Sequence, residues 1–140
     1  MTHTVTPKAD PSLPVTTPNT GVLTTAWSAF AISGNLQTGD TWDLCYIPKG
    51  ANIIGGMIST DELDSHSNPC VQLQVGTESE PAKFLDTENN GDKAKRFMQP
   101  LNVSSAVTPG EPMLCRLTCS EGPRTFAAGN VNICFHYVMN

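Results

Sequence analysis

From residue 22 onward, no more than roughly a dozen residues pass without a glycine, proline or asparagine. That spacing leaves no room for long helices and favours short extended runs. The runs between the breakers alternate apolar and polar residues, the period of a half-buried strand. Trp42, Leu44 and Tyr46 share one face of Thr41-Trp-Asp-Leu-Cys-Tyr-Ile, with Thr41, Asp43, Cys45 and Ile47 on the other. Val71, Leu73 and Val75 alternate with Gln72 and Gln74. Met113, Cys115, Leu117 and Cys119 form another one-sided set, as do Val131, Ile133, Phe135 and Tyr137. In the segment 22–32, Ala26, Ser28, Phe30 and Ile32 oppose Trp27, Ala29 and Ala31, and the pattern does not say which set faces inward. Ala51 to Thr60 reads as a strong strand interrupted by Gly55-Gly56, the mark of a bulge or a close crossing. Shorter strands are expected around Phe84-Leu85 and Phe97 to Val103.

About eight such strands with regular turns predict an all-β fold, a jelly-roll-like β-sandwich. The expected core is Leu44, Tyr46, Ile53, Met57, Val71, Leu73, Val75, Leu117, Ile133, Phe135 and Tyr137. Thr38-Gly-Asp and Pro48-Lys-Gly are expected turns.

Residues 1–20 read differently. Threonines alternate there with Pro7, Pro11, Pro14 and Pro18, and each proline removes a backbone donor and disfavours helix before it. This predicts two parts: an extended Pro/Thr arm over 1–20 and a β-sandwich domain over 21–140. Such an arm is polyproline-like in isolation. It becomes ordered only when clamped by its own domain, a neighbouring copy or another protein. Val5, Pro7, Leu13, Pro14 and Val15 are the residues it could bury in a partner's groove.

Charge and composition remove several functions. The 140 residues carry a net charge of -5, and the eight basic residues are scattered apart from Lys93, Lys95 and Arg96. Nucleic acid, which requires clustered Lys and Arg, is not an expected partner. No stretch approaches the roughly 18 apolar residues that span a membrane. The first residues lack the basic patch and apolar run of a secretory signal, so synthesis in a cytoplasm is expected. With five cysteines and no C-x-x-C pair, reduced thiols acting as small hydrophobes are expected.

Catalytic patterns are missing. There is no Gly-x-Ser-x-Gly elbow and no glycine-rich phosphate loop before a helix. His3, His66 and His136 are the only histidines that could activate a thiol. Asp61, Glu62 and Asp64, with Asp86, could in principle hold calcium, but they lack EF-hand spacing and read better as a turn-forming acidic loop. Cys134 and His136 share a face of the last strand, and His66 and Cys70 flank a loop. Neither pair supplies the four ligands of a zinc site. The expectation is therefore no enzyme, no cofactor and no metal. Trp27, Trp42, Tyr46 and Tyr137 could stack on sugars if exposed, which keeps a carbohydrate- or receptor-binding module as an alternative.

Three segments carry a resemblance: Thr41-Trp-Asp-Leu-Cys-Tyr-Ile-Pro-Lys-Gly-Ala-Asn-Ile-Ile-Gly-Gly-Met, Ser59-Thr-Asp-Glu-Leu-Asp-Ser, and Val71-Gln-Leu-Gln-Val-Gly. Together with Ala82-Lys-Phe-Leu-Asp and the closing Gly129-Asn-Val-Asn-Ile-Cys-Phe-His-Tyr-Val, they resemble small structural proteins of tailed bacteriophages. The resemblance covers about residues 22–139 and excludes the arm. It implies a head decoration or cement protein on the virion surface, assembled in the host cytoplasm. The implied partners are the major capsid protein and further copies of the chain, a trimer being favoured. A head-to-tail or tail component is the neighbouring possibility. The resemblance brings no catalytic residues with it.

Overall fold

The alternating runs form strands that divide between two sheets. A computed structural model describes residues 2–5, 23–68, 70–86, 97–102 and 110–139. Its strands are β1 His3–Val5, β2 Thr24–Ile32, β3 Thr41–Ile47, β4 Ala51–Thr60, β5 Gln72–Gly76, β6 Leu85–Asp86, β7 Phe97–Pro100, β8 Met113–Glu121 and β9 Gly129–Met139. One sheet has the order β2-β9-β4-β7 and the other β1-β3-β8-β5-β6. Every pairing is antiparallel except β1 with β3. Without β1, the remaining eight strands have the order of a jelly roll, two interleaved Greek keys. The sandwich expected from the sequence is present, with a ninth strand added at one edge. Gly39 and Gly50, in the two expected turns, take φ of 93° and 80°, a conformation that costs glycine nothing.

The core lies between the sheets. Leu44, Ile53, Val71, Leu73, Val75, Leu117, Ile133, Phe135 and Tyr137 are all buried there, as expected. Two aromatic contacts help fill it. Phe30 of β2 stacks on Trp42 of β3 at 5.8 Å, and Phe84 meets Phe135 edge-on at 5.4 Å.

Two expected core residues are not in it, and a bulge accounts for each. The β3/β8 register slips between Asp43 and Cys45, so Leu44 is an extra residue. Trp42 points inward before the slip, whereas Cys45 and Ile47 do so after it, and this leaves Tyr46 half-buried on the outer side. The β4/β9 register slips between Ile53 and Gly55. Ala51 and Ile53 are buried before it and Ile58 after it, so Met57 turns outward and is 40% exposed. A bulge inverts the inside-outside parity of everything downstream.

Gly56 is the close crossing. A Cβ there would lie 2.7 Å from both the Cys134 carbonyl oxygen and Leu101 Cδ1. The carbonyl belongs to the neighbouring strand and cannot yield. Gly56→Ala is expected to lower the stability by about 1–3 kcal/mol, read as a lower urea midpoint.

Candidate functional site

The two outer faces of the sandwich differ in chemistry. The β1-β3-β8-β5-β6 face is polar. Arg116 Nε donates to Asp43 Oδ1 at 2.7 Å, and His3 Nε2 lies 2.8 Å from Asp43 Oδ2. Gln74, Thr118 and Thr41 form a row across the same sheet. By contrast, β2, β4, β7 and β9 contain no Asp, Glu, Lys or Arg at all.

The outer face of that uncharged sheet is built in rows by its register. Trp27, Cys134, Met57 and Pro100 are successive partners across β2, β9, β4 and β7. Ala29, Asn132 and Ser59 make a second row, and Thr25, His136 and Gly55 a third. Trp27 is 52% exposed, and Ile54, thrown out by the β4 bulge, is 54% exposed. Trp27, Met57, Ser59, Asn132 and Cys134 line a shallow groove of about 160 Å³. This face thus carries three exposed large apolar side chains, Trp27, Ile54 and Met57, and no charge on its strands. The face was legible in the sequence as three long segments without a single charge. What the sequence lacked was the bulge that turns Met57 outward onto the face that carries Trp27.

Of the residues assigned to partner contact, Val5 is described and Pro7, Leu13, Pro14 and Val15 lie outside the described residues. Val5 ends β1, opposite Asp43, and is 47% exposed. The strand is tied down by its first residues. Thr2 N–H donates to Asp40 Oδ1 at 2.7 Å, Thr41 N–H donates to Thr2 O at 2.9 Å, and His3 Nδ1 lies 2.8 Å from Thr41 Oγ1. Burial alone would raise the Asp40 carboxyl, but the N–H groups of Gln37 and Thr2 outweigh it and hold the pKa below the usual value. The start of the arm is therefore an edge strand of its own domain.

The acidic loop serves the backbone. Asp64 is buried, and Oδ1 accepts from His66 N–H at 3.1 Å and Thr125 N–H at 3.0 Å. Oδ2 accepts from Cys70 N–H at 2.9 Å and Arg124 N–H at 3.0 Å. Asp61 Oδ2 accepts from Asn130 N–H at 2.9 Å. Burial pushes the Asp64 carboxyl up, yet the four N–H donors prevail and bring its pKa down to about 2.

All five cysteines are free thiols. Burial, helped by the charge of Asp40, pushes Cys119 up to about 12. A hydrogen bond to Cys45, together with burial, pushes Cys115 well above the usual thiol range. These two are small hydrophobes, as expected. The four aromatic residues considered for sugar stacking do not form one platform. Trp42 and Tyr137 are core, Tyr46 is half-buried on the polar face, and Trp27 stands on the uncharged one.

No protein-family model matches the sequence, and no curated protein does. Among solved structures, the chain is similar to a chain of the cyanophage Pam1 capsid asymmetric unit. The TM-score is 0.75 at 20% identity, covering 92% of this chain and 95% of that one. It is similar to a chain of the capsid of Ralstonia phage GP4, with TM-score 0.74, 19% identity, and 91% of each chain covered. A chain of the acid-stable capsid of Helicobacter pylori bacteriophage KHP30 matches with TM-score 0.59 and 14% identity, over 87% of this chain and 92% of that one. At these identities the likeness establishes a shared fold.

Proposed function

We propose that this chain is a structural protein of a phage virion that decorates the capsid and stabilises it by binding across major capsid subunits. The supporting observation is the two-way coverage. The chains it matches in the Pam1 and GP4 capsid structures have its fold and very little else. Such a protein acts by contact, so its working parts are surfaces. The uncharged outer face of β2-β9-β4-β7, centred on Trp27 and Met57, docks on the shell. The residues that follow β1, over 6–20, lie along a neighbouring subunit, where Leu13, Pro14 and Val15 bury apolar area and extended backbone adds hydrogen bonds. Because β1 and β2 hold both ends of this segment in one domain, its roughly eighteen residues, at about 3.3 Å each, let its middle reach out by at most about 30 Å. Weak contacts repeated over a lattice add up through avidity, and assembly of the decorating copies as trimers multiplies them.

Imaging of intact particles, with binding of the purified protein to undecorated shells, tests this. Density for the chain on the outer shell, next to the major capsid protein, is expected. Density confined to the head-to-tail junction or the tail would remove the decoration role. Trp27→Ser with Met57→Ser is expected to weaken shell binding about 100-fold, since buried aromatic anchors dominate interfaces. Changing Leu13, Pro14 and Val15 to serine, while keeping β1, is expected to lower occupancy of the shell. Unchanged occupancy would rule out a binding role for the arm.

A further inference from the structure

Cys134 of the first row and His136 of the third bring a thiol and an imidazole together on the uncharged face. Cys134 and His136 project from the same side of β9, with Cys134 Sγ 3.8 Å from His136 Nε2. The other ring nitrogen, Nδ1, lies 3.0 Å from Thr25 Oγ1 on β2. When Nδ1–H donates to that hydroxyl, the Nε2 lone pair is aimed at the thiol. An acceptor on the far nitrogen is the usual way a metal-binding histidine is oriented. Met57 is the direct cross-strand partner of Cys134 on β4, and Trp27 is its partner on β2. Trp27, Met57 and Cys134 line the same groove. Gly55, opposite His136, contributes no side chain that would cover the ring.

We propose that Cys134, His136 and Met57 form a surface site for a soft monovalent cation of the copper(I) class, with the Trp27 indole beside it. The geometry suits an ion. With bonds of about 2.3 Å to sulfur and about 2.0 Å to nitrogen, a gap of 3.8 Å is spanned at an angle of roughly 125°, close to trigonal. Thiolate and thioether sulfur with one imidazole select soft ions, whereas magnesium and calcium require oxygen ligands. Binding is a simple exchange: the Cys134 thiol loses its proton and its sulfur bonds the cation, releasing one proton per ion with no change of oxidation state. The site shares Trp27 and Met57 with the proposed docking face, but it is tested on the free protein, where its failure leaves the decoration reading untouched.

The probes are silver(I), which is redox-inert, and copper(I) held anaerobically in competition with a chromophoric chelator. One ion per chain is expected, with a submicromolar Kd, quenched tryptophan fluorescence and one proton released. Cys134→Ser and His136→Ala are each expected to weaken binding about 100-fold, and Met57→Leu about tenfold. Cys70→Ser, at the other half-buried thiol, is expected to change nothing. Circular dichroism and a urea midpoint on each variant separate lost ligation from lost folding. Zinc(II) is expected to bind at least 100-fold more weakly. Wild type binding neither ion below about 10 µM, or affinity unchanged in Cys134→Ser or His136→Ala, overturns the site. Unchanged affinity in Met57→Leu, or zinc(II) binding as tightly, overturns the three-ligand soft-cation assignment.

Discussion

Asp64→Ala is expected to cost the fold about 3–5 kcal/mol, a large share of the stability of a domain this size. The side chain is small, so lost packing is not the cause. Removing the carboxylate leaves four backbone donors without their acceptor, those of His66, Cys70, Arg124 and Thr125. Each hydrogen bond to a charged group contributes about 1.5–3 kcal/mol, and water reaching the exposed ends of the loops recovers part of the sum. Two segments far apart in sequence would part. Ser65 N–H also donates to Thr125 O, Ala127 N–H donates to Leu63 O, and Asp64 forms a bridge with Phe126, all around that one carboxylate. Urea denaturation measures the loss, and proteolysis at 61–70 and 122–127 locates it. The same group sets an acid limit. Its pKa is about 2 when folded against an ordinary 3.8, so the unfolded chain takes up the proton first as pH falls. The stabilisation, about 2 kcal/mol, is complete above pH 4 and is lost between about 4 and 2. Asp64→Asn, which cannot titrate, is expected to flatten that part of the pH profile.

Phe135→Ala is expected to cost a similar 3–5 kcal/mol by leaving a cavity at the centre of the sandwich. Phe135 is fully buried on β9, and its partners across the sheet are Ala26 and Gly56. Neither partner has a side chain long enough to fill the hole the ring would leave. Phe84 would lose its edge-on contact from the opposite sheet. Phe135→Leu is expected to recover more than half of the loss. A fall in the urea midpoint with an unchanged slope would show that the native state itself was destabilised.

How much of this the sequence contained depends on the range of the interactions. Val71-Gln-Leu-Gln-Val and the final strand alternate without interruption, so Leu73, Val75, Ile133 and Phe135 could be placed inside from pattern alone. Tyr46 and Met57 could not, because each follows a bulge, and one extra residue inverts the count. The Gly55-Gly56 pair announced an irregularity in β4 but not on which side of it the parity would change. Nothing in Asp43-Leu44-Cys45 announces the slip in β3. Asp64 was legible as a turn-former but not as a pin, since two of its four donors come from residues about sixty positions away. The exposed face had the opposite history. Trp27 looked as much like core as like surface until the β2/β9 register fixed Ala26, Ser28, Phe30 and Ile32 on the inner side.

The three residues of β1 do something for the rest of the chain that has no connection with capsids. Without them, β3 would be an open edge seven residues long, its free N–H and C=O groups a template for pairing with any passing strand. By pairing in parallel with Thr41 to Asp43, His3 to Val5 cover the first three residues of that edge and present in their place a strand only three residues long. A short strand held by Thr2 and His3 thus shortens the edge along which a second sheet could grow and a fibre start.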